Sequence, residues 1–202
     1  MKNVAILISG RGSNFLALSD AIEAGAIPGR IALVVSNRPE APGLEHARER
    51  GYKAVALPSA GLGRESYDRL LFNELDPHSI DVICLAGFMR LLSPWFVEQF
   101  SSRILNIHPS LLPAFPGIHA QKQALEWGVK VTGCTVHFVD DKLDHGPIIR
   151  QHPVPIQEND TEESLSERIL ICEHEIYPEA LKLVCEDRVR VEGRSVIITQ
   201  PS

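Results

Sequence analysis

The sequence predicts an α/β fold, a mostly parallel twisted sheet with helices on both faces. Two observations predict it. Short apolar runs rich in β-branched residues alternate with helix-period segments through the first half of the chain. Glycine, proline, serine and asparagine punctuate the joins between them. The 202 residues suit one ordinary domain, and no repeat or linker divides them, so residues 1–202 are expected to form a single domain.

Each element has its own signal. Val4–Ile8 reads as a buried strand and Phe15–Ala24 as a helix with Leu18 and Ile22 four apart. Ile31–Ser36 is a second strand, Leu44–Arg50 a helix that Gly51 stops, and Ala54–Leu57 a third strand. Glu65–Asp76 is helical and Asp81–Ala86 is a fourth apolar run. Ser93–Phe100 carries Pro94 at its first helical position, and Arg103–His108 is the next strand. Pro109, Pro113 and Pro116 then exclude a helix and predict an ordered loop to Gly117. Ala120–Trp127 is helical, and Val131–Val139 alternates as a strand with Cys134, Val136 and Phe138 on one face. An acidic loop, Asp140–Pro147, leads into the strand Ile148–Val154. Asp160 with Glu163 marks a helix start, and Leu165, Ile169, Cys172 and Ile176 form one apolar stripe. Pro178 is expected to kink or restart that helix. Val189–Glu192 and Ser195–Thr199, joined at Gly193-Arg194, close the chain as a hairpin.

Composition narrows the function classes. At 44% hydrophobic and 23% charged residues the chain can bury a core. Its 26 acidic and 20 basic residues give a net charge of −6, and no basic run offers a nucleic-acid surface. No stretch approaches the ~20 apolar residues of a membrane span. Val4 to Ile8 is too short for a secretory core, and Cys84, Cys134, Cys172 and Cys185 form no CxxC pair. A cytoplasmic protein with reduced thiols is expected.

Three features carry candidate chemistry. Ser9-Gly10-Arg11-Gly12-Ser13-Asn14 joins the first strand to the first helix, either as a tight turn capped by Ser13 or Asn14 or as an anion cradle. Phe15 and Asn37 stand where a dinucleotide fingerprint requires a glycine and an acid, so a single phosphate fits better. Asn106 and His108 share one face of a strand that ends in the proline-rich loop. Asp140, Asp141 and Asp144 form the acidic loop; Gly146 and Pro147 restrict how Asp144 is presented. A carboxylate beside an imidazole orients the ring and favours its charged form. His137 suits a hydrogen bond beneath such a site, whereas His46, His78 and His152 read as surface residues. Glu173 lies at the edge of the apolar stripe, half-buried. His174 has Pro178 rather than histidine one turn on, and no Cys/His spacing demands a metal.

ILISGRGSN (6–14), AGFMRLLSP (86–94), ILNIHPSLLPAFPGIHA (104–120), TVHF (135–138), LDHGPII (143–149) and EHEIYPEAL (173–181) together resemble the phosphoribosylglycinamide formyltransferases, folate-dependent enzymes of purine biosynthesis. The resemblance covers essentially the whole chain. It implies Asn106, His108 and Asp144 as the catalytic set. Arg11, Gly12, Ser13 and Asn14 would bind the phosphate of glycinamide ribonucleotide, and Glu173 its ribose. Arg64, Met89, Arg90, Leu91 and Leu92 would line the pterin pocket of the cosubstrate 10-formyltetrahydrofolate, with Asp140 and Asp141 in the loop over the ring. It implies no metal, and a monomer or homodimer. His145, Leu170 and Ala114 depart from the pattern, standing where relatives carry glycine, lysine and a basic residue. The competing expectation is a 10-formyltetrahydrofolate hydrolase, whose relatives lack an ISGRGSN-type loop.

Overall fold

The computed structural model describes residues 1–200. Strands β1 (Lys2–Ile8), β2 (Gly29–Ser36), β3 (Ala54–Ala56), β4 (Val82–Leu85), β5 (Ile104–His108), β6 (Val131–Phe138) and β7 (Ile148–Pro155) form one sheet in the order β3-β2-β1-β4-β5-β6-β7. Pairing is parallel from β3 to β5 and antiparallel from β5 to β7. The helices are α1 (Ser13–Glu23), α2 (Pro42–Glu49), α3 (Arg64–Leu75), α4 (Pro94–Gln99), α5 (Ala120–Trp127) and α6 (Glu162–Cys185). A short 3₁₀ turn, Asp76–His78, follows α3, and β8 (Val189–Glu192) with β9 (Ser195–Ile198) makes a separate hairpin.

Period-two alternation along β1 explains the two faces. Val4, Ile6 and Ile8 pack into one core with Phe15 and Leu18 of α1, Leu44 of α2, and Leu165, Ile169 and Ile176 of α6. Ala5 and Leu7 point the other way, into a second core with Tyr67, Leu71 and Leu75 of α3 and Phe96 of α4. Burial on both faces is why this strand reads as an unbroken apolar run. No described helix is long and apolar enough to cross a membrane.

Several expectations need correction. The N-cap of α1 is Gly12, with no side-chain capping bond, so neither Ser13 nor Asn14 caps it. Helix α6 begins at a capping box of Thr161 and Ser164 rather than at Asp160 and Glu163. Asp160 is drawn instead into an ion pair with Arg168. Pro178 does not restart α6, which runs on to Cys185; Tyr177, beside it, is buried with its hydroxyl 3.2 Å from both the Leu85 and Leu105 carbonyls. His46, His78 and His152 are half-buried, as is Cys172 of the expected stripe.

The strand order places the site. It reverses between β1 and β4, so the crevice at that switch point opens at the carboxyl ends of β1, β4 and β5. The loops leaving those three strands carry residues 9–12, 86–93 and 109–119.

Candidate active site

The first loop meets the crevice as exposed backbone. Gly12 has φ +78, and a Cβ there would come within 3.1 Å of Gly43 Cα. Gly43 is just as confined: its own Cβ would sit 2.6 Å from Ile8 Cδ1 and 3.1 and 3.2 Å from the Gly10 and Arg11 carbonyls. The Gly43 amide donates to the Gly10 carbonyl at 3.1 Å. Two glycines thus let α2 support the loop, and the first turn of α1 has no side-chain cap for its N–H groups.

Arg11 is exposed and Ser13 half-buried, but Asn14 is buried and turned away from the loop. Its Nδ2 donates to Glu173 Oε2 at 2.8 Å. Glu173 is only 7% exposed, deeper than its place on the stripe suggests. Burial pushes its carboxyl up to about 7, against a smaller downward pull from Asn14.

Asn106 and His108 stand on β5 as expected, and Asp144 reaches them from the loop after β6. Asp144 has φ +46; its Oδ2 accepts the Gly117 amide at 2.8 Å and lies 3.4 Å from His108 Nδ1. Its Oδ1 is 3.5 Å from Asn106 Nδ2. His108 Nε2 donates to the Phe115 carbonyl at 2.8 Å, which fixes the ring and leaves Nδ1 facing the carboxylate. The proline-rich loop that supplies Phe115 and Gly117 is itself tied down. Thr135 Oγ1 donates to the Ser110 carbonyl at 2.6 Å, and Leu112 donates its amide to Thr135 at 3.1 Å.

His137 lies beneath this set. Its Nδ1 donates to the Phe138 carbonyl at 2.8 Å, so Nε2 presents a lone pair 3.2 Å from Asn106 Nδ2. Burial holds His137 below the ordinary histidine range, in keeping with a neutral ring. A neutral acceptor there orients the Asn106 amide.

The loop after β4 lies beside the first loop. Arg90 lies 4.6 Å from the Tyr67 ring centroid and donates to the Leu62 carbonyl at 3.3 Å, bringing the segment before Arg64 beside residues 89–92. Arg64 is exposed at the start of α3. Met89 and Leu91 are exposed, whereas the Leu92 side chain is buried in the second core. The Met89 amide donates to Ser9 Oγ at 2.8 Å, tying this loop to the first. Ile118 and Leu143 are also exposed, and Leu143 Cδ2 lies 3.6 Å from where a Gly117 Cβ would be. Asp141 is exposed. Asp140 accepts from His145 Nδ1 at 2.7 Å and from the Lys142 amide at 3.0 Å. Partial burial raises the Asp140 carboxyl, but those bonds outweigh it and hold the group below its usual range. No group of three or more His, Cys, Asp or Glu able to hold a metal occurs among the described residues.

The sequence reading missed the Phe115 carbonyl, the Gly117 amide and the apolar side chains of Ile118 and Leu143. The rigid loop was visible in its prolines, but main-chain groups have no residue-type signal.

Residues 2–181 of this doubly wound sheet, whose crevice gathers an amide, an imidazole and a carboxylate, match the family model described as "Formyl transferase". The chain is 46% identical over 190 residues to phosphoribosylglycinamide formyltransferase of Escherichia coli, spanning 94% of this chain and 90% of that protein. Glycinamide ribonucleotide transformylase 1 from Symbiobacterium toebii superposes with a TM-score of 0.97 at 51% identity, covering 99% of this chain and 95% of its own. A formyltetrahydrofolate deformylase from Pseudomonas syringae has a TM-score of 0.93 at 27% identity, and the match covers 98% of this chain but 66% of that one. The chain belongs to the phosphoribosylglycinamide formyltransferase family.

Proposed function

We propose that this protein transfers the formyl group of 10-formyltetrahydrofolate to the amine of glycinamide ribonucleotide in purine biosynthesis. The observation that carries the reading is the convergence of Asp144 on His108 and Asn106, with its carboxylate held by the Gly117 amide.

The amine nitrogen attacks the formyl carbon, and the carbonyl oxygen becomes a tetrahedral oxyanion. Asn106 Nδ2 and His108 Nδ1 donate to that oxygen, Nε2 being held by the Phe115 carbonyl; losing one such donor costs about 3–4 kcal/mol, or on the order of 10²–10³ in rate. Asp144, 3.4 Å from His108 Nδ1, orients the ring and receives the proton that the attacking nitrogen releases, through a water. Collapse of the intermediate breaks the bond from carbon to the folate nitrogen. That nitrogen takes up the proton that Asp144 received, again through the water, and leaves as tetrahydrofolate, while the new N-formyl amide stays on the ribonucleotide.

Main-chain N–H groups of Gly12, Ser13 and Asn14, with Arg11 beside them, bind the phosphate, and Glu173 accepts ribose hydroxyls. These contacts position the amine about 3–3.5 Å from the carbon it attacks. Arg64, Met89, Arg90 and Leu91, the main chain at Leu92, and the loop bearing Asp140 and Asp141 bind the folate. The exposed Met89 and Leu91 offer the apolar surface a pterin needs. We read the whole chain as one catalytic unit, monomeric or homodimeric and cytoplasmic, where its four free cysteines stay reduced.

Mixing the enzyme with 10-formyltetrahydrofolate, with and without glycinamide ribonucleotide, tests the reading. Absorbance of deformylated folate should rise only when both are present. Formate release without the ribonucleotide would instead establish the hydrolase.

A further inference from the structure

The hairpin β8–β9 lies beyond residues 2–181 that match the family model, yet its turn reaches the loop that presents Asp144. Arg194 Nη2 donates to the His145 carbonyl at 2.8 Å, and Nη1 lies 2.9 Å from His145 Nε2 and 3.3 Å from Nδ1. With both ring nitrogens this near, Nη1 sits over the face of the imidazole, so the guanidinium stacks on the ring while its other nitrogen holds the main chain. On its edge the same ring meets Asp140, with Nδ1 2.7 Å from Oδ2.

These bonds complete the fastening of one loop. At its neck the Phe138 amide donates to the Pro147 carbonyl at 2.9 Å, and Gly146 packs so closely that a Cβ would fall 1.9 Å from Phe138 O. Within the loop, Asp140 is bound to His145 and to the Lys142 amide. From outside it, the Gly117 amide and His108 meet the Asp144 side chain, and the hairpin holds the His145 carbonyl one residue on. The hairpin is a firm support: Val189, Val191, Val196 and Ile198 pack against the larger core, and the Thr199 amide donates to the Arg188 carbonyl at 3.0 Å.

We propose that Arg194 is a positioning residue for the formyl transfer, acting through His145 to fix the loop that presents Asp140 and Asp144. It touches no reacting group. The kinetic part of this inference rests on the transfer reading; the part concerning loop order does not.

The test compares the full chain with Arg194→Ala, Arg194→Lys, His145→Ala and the double alanine variant, by amide hydrogen exchange and steady-state kinetics. Arg194→Ala should speed exchange in residues 139–147 by about fivefold while leaving the exchange of α6 unchanged. It should lower kcat by about three- to tenfold at an unchanged ribonucleotide KM. Arg194→Lys, able to hold the carbonyl with one donor, should recover part of both effects. In the His145→Ala background the loss from Arg194→Ala should shrink, because the ring contact is already gone. Unchanged loop exchange, unchanged kcat, or equal losses in both backgrounds would each overturn the proposal. Faster exchange throughout α6 would do so too, reducing Arg194 to a support of the fold. A parent chain without transfer activity would sink the functional reading and leave the exchange result to decide the loop alone.

Discussion

Asn14 and Glu173, 159 residues apart in sequence, are joined by a 2.8 Å hydrogen bond from Nδ2 to Oε2 that fastens the first turn of α1 to the middle of α6. The carboxylate end of that bond is buried, and burial lifts its pKa from 4.5 to about 7.

The sign of the resulting pH dependence follows. Between the unfolded and folded values the native state holds a proton that the unfolded chain has lost, so stability falls as pH rises from about 4.5 to about 7. Glu173→Gln stays neutral throughout. Its stability relative to the parent should be level below that window, grow across it, and reach a gain of about 3 kcal/mol above it. Urea denaturation at a series of pH values checks this, and a difference that ignores pH would show that Glu173 is not the titrating group.

Asp144→Asn keeps a side chain of the same shape but cannot accept the proton. We expect kcat to fall by on the order of 10²–10⁴ while KM for both substrates changes little. Single-turnover mixing separates the two quantities; near-normal turnover would remove Asp144 from the chemistry.

Gly43→Ala places a methyl group against the Gly10 and Arg11 carbonyls, 3.1 and 3.2 Å away, and so pushes on the anion loop from behind. Stability should drop by about 1–3 kcal/mol. KM for the ribonucleotide should rise about tenfold, with the folate KM almost unmoved. Gly12→Val, which also forces a β-branched residue into φ +78, should do the same more strongly. Equal changes in both KM values would argue that the loop does not hold the phosphate.

His137→Phe removes the lone pair that faces Asn106 Nδ2 at 3.2 Å. The freed amide loses its fixed orientation, and kcat should fall by about tenfold without a matching change in either KM. His137→Gln, which restores an acceptor on a flexible arm, should regain part of the loss. Equal activity in all three proteins would show that Asn106 is oriented without His137.

How much of this was legible depends on where the deciding interaction lies. The strands of the first half were readable because both faces of the sheet are covered, which leaves Val4–Ile8 and Val82–Leu85 apolar throughout. The start of α6 was not. Asp160, Thr161, Glu163 and Ser164 can all serve as helix-start residues, and the choice falls to Thr161 and Ser164 once Arg168 engages Asp160. Pro178 removes one helical donor, yet packing around the buried Tyr177 and Leu181 keeps the helix going, a tertiary effect that local sequence does not carry. Asn106, His108 and Asp144 were visible as residue types. The groups that aim them, the Phe115 carbonyl and the Gly117 amide, belong to the backbone and exist as neighbours only after folding.

The order β1-β4-β5 has a consequence for selectivity. The glycine loop hangs from β1 and the Asn106–His108 pair from β5, with only β4 between them, so the two lie about 10 Å apart across the sheet. Hydrogen-bonded strands cannot stretch, which makes that span a rigid gauge. On the proposed reading, an amine tethered too near its phosphate, or too far from it, would dock its anion and still leave its nitrogen short of or beyond the carbonyl, so the sheet itself would measure the acceptor before any side chain inspects it.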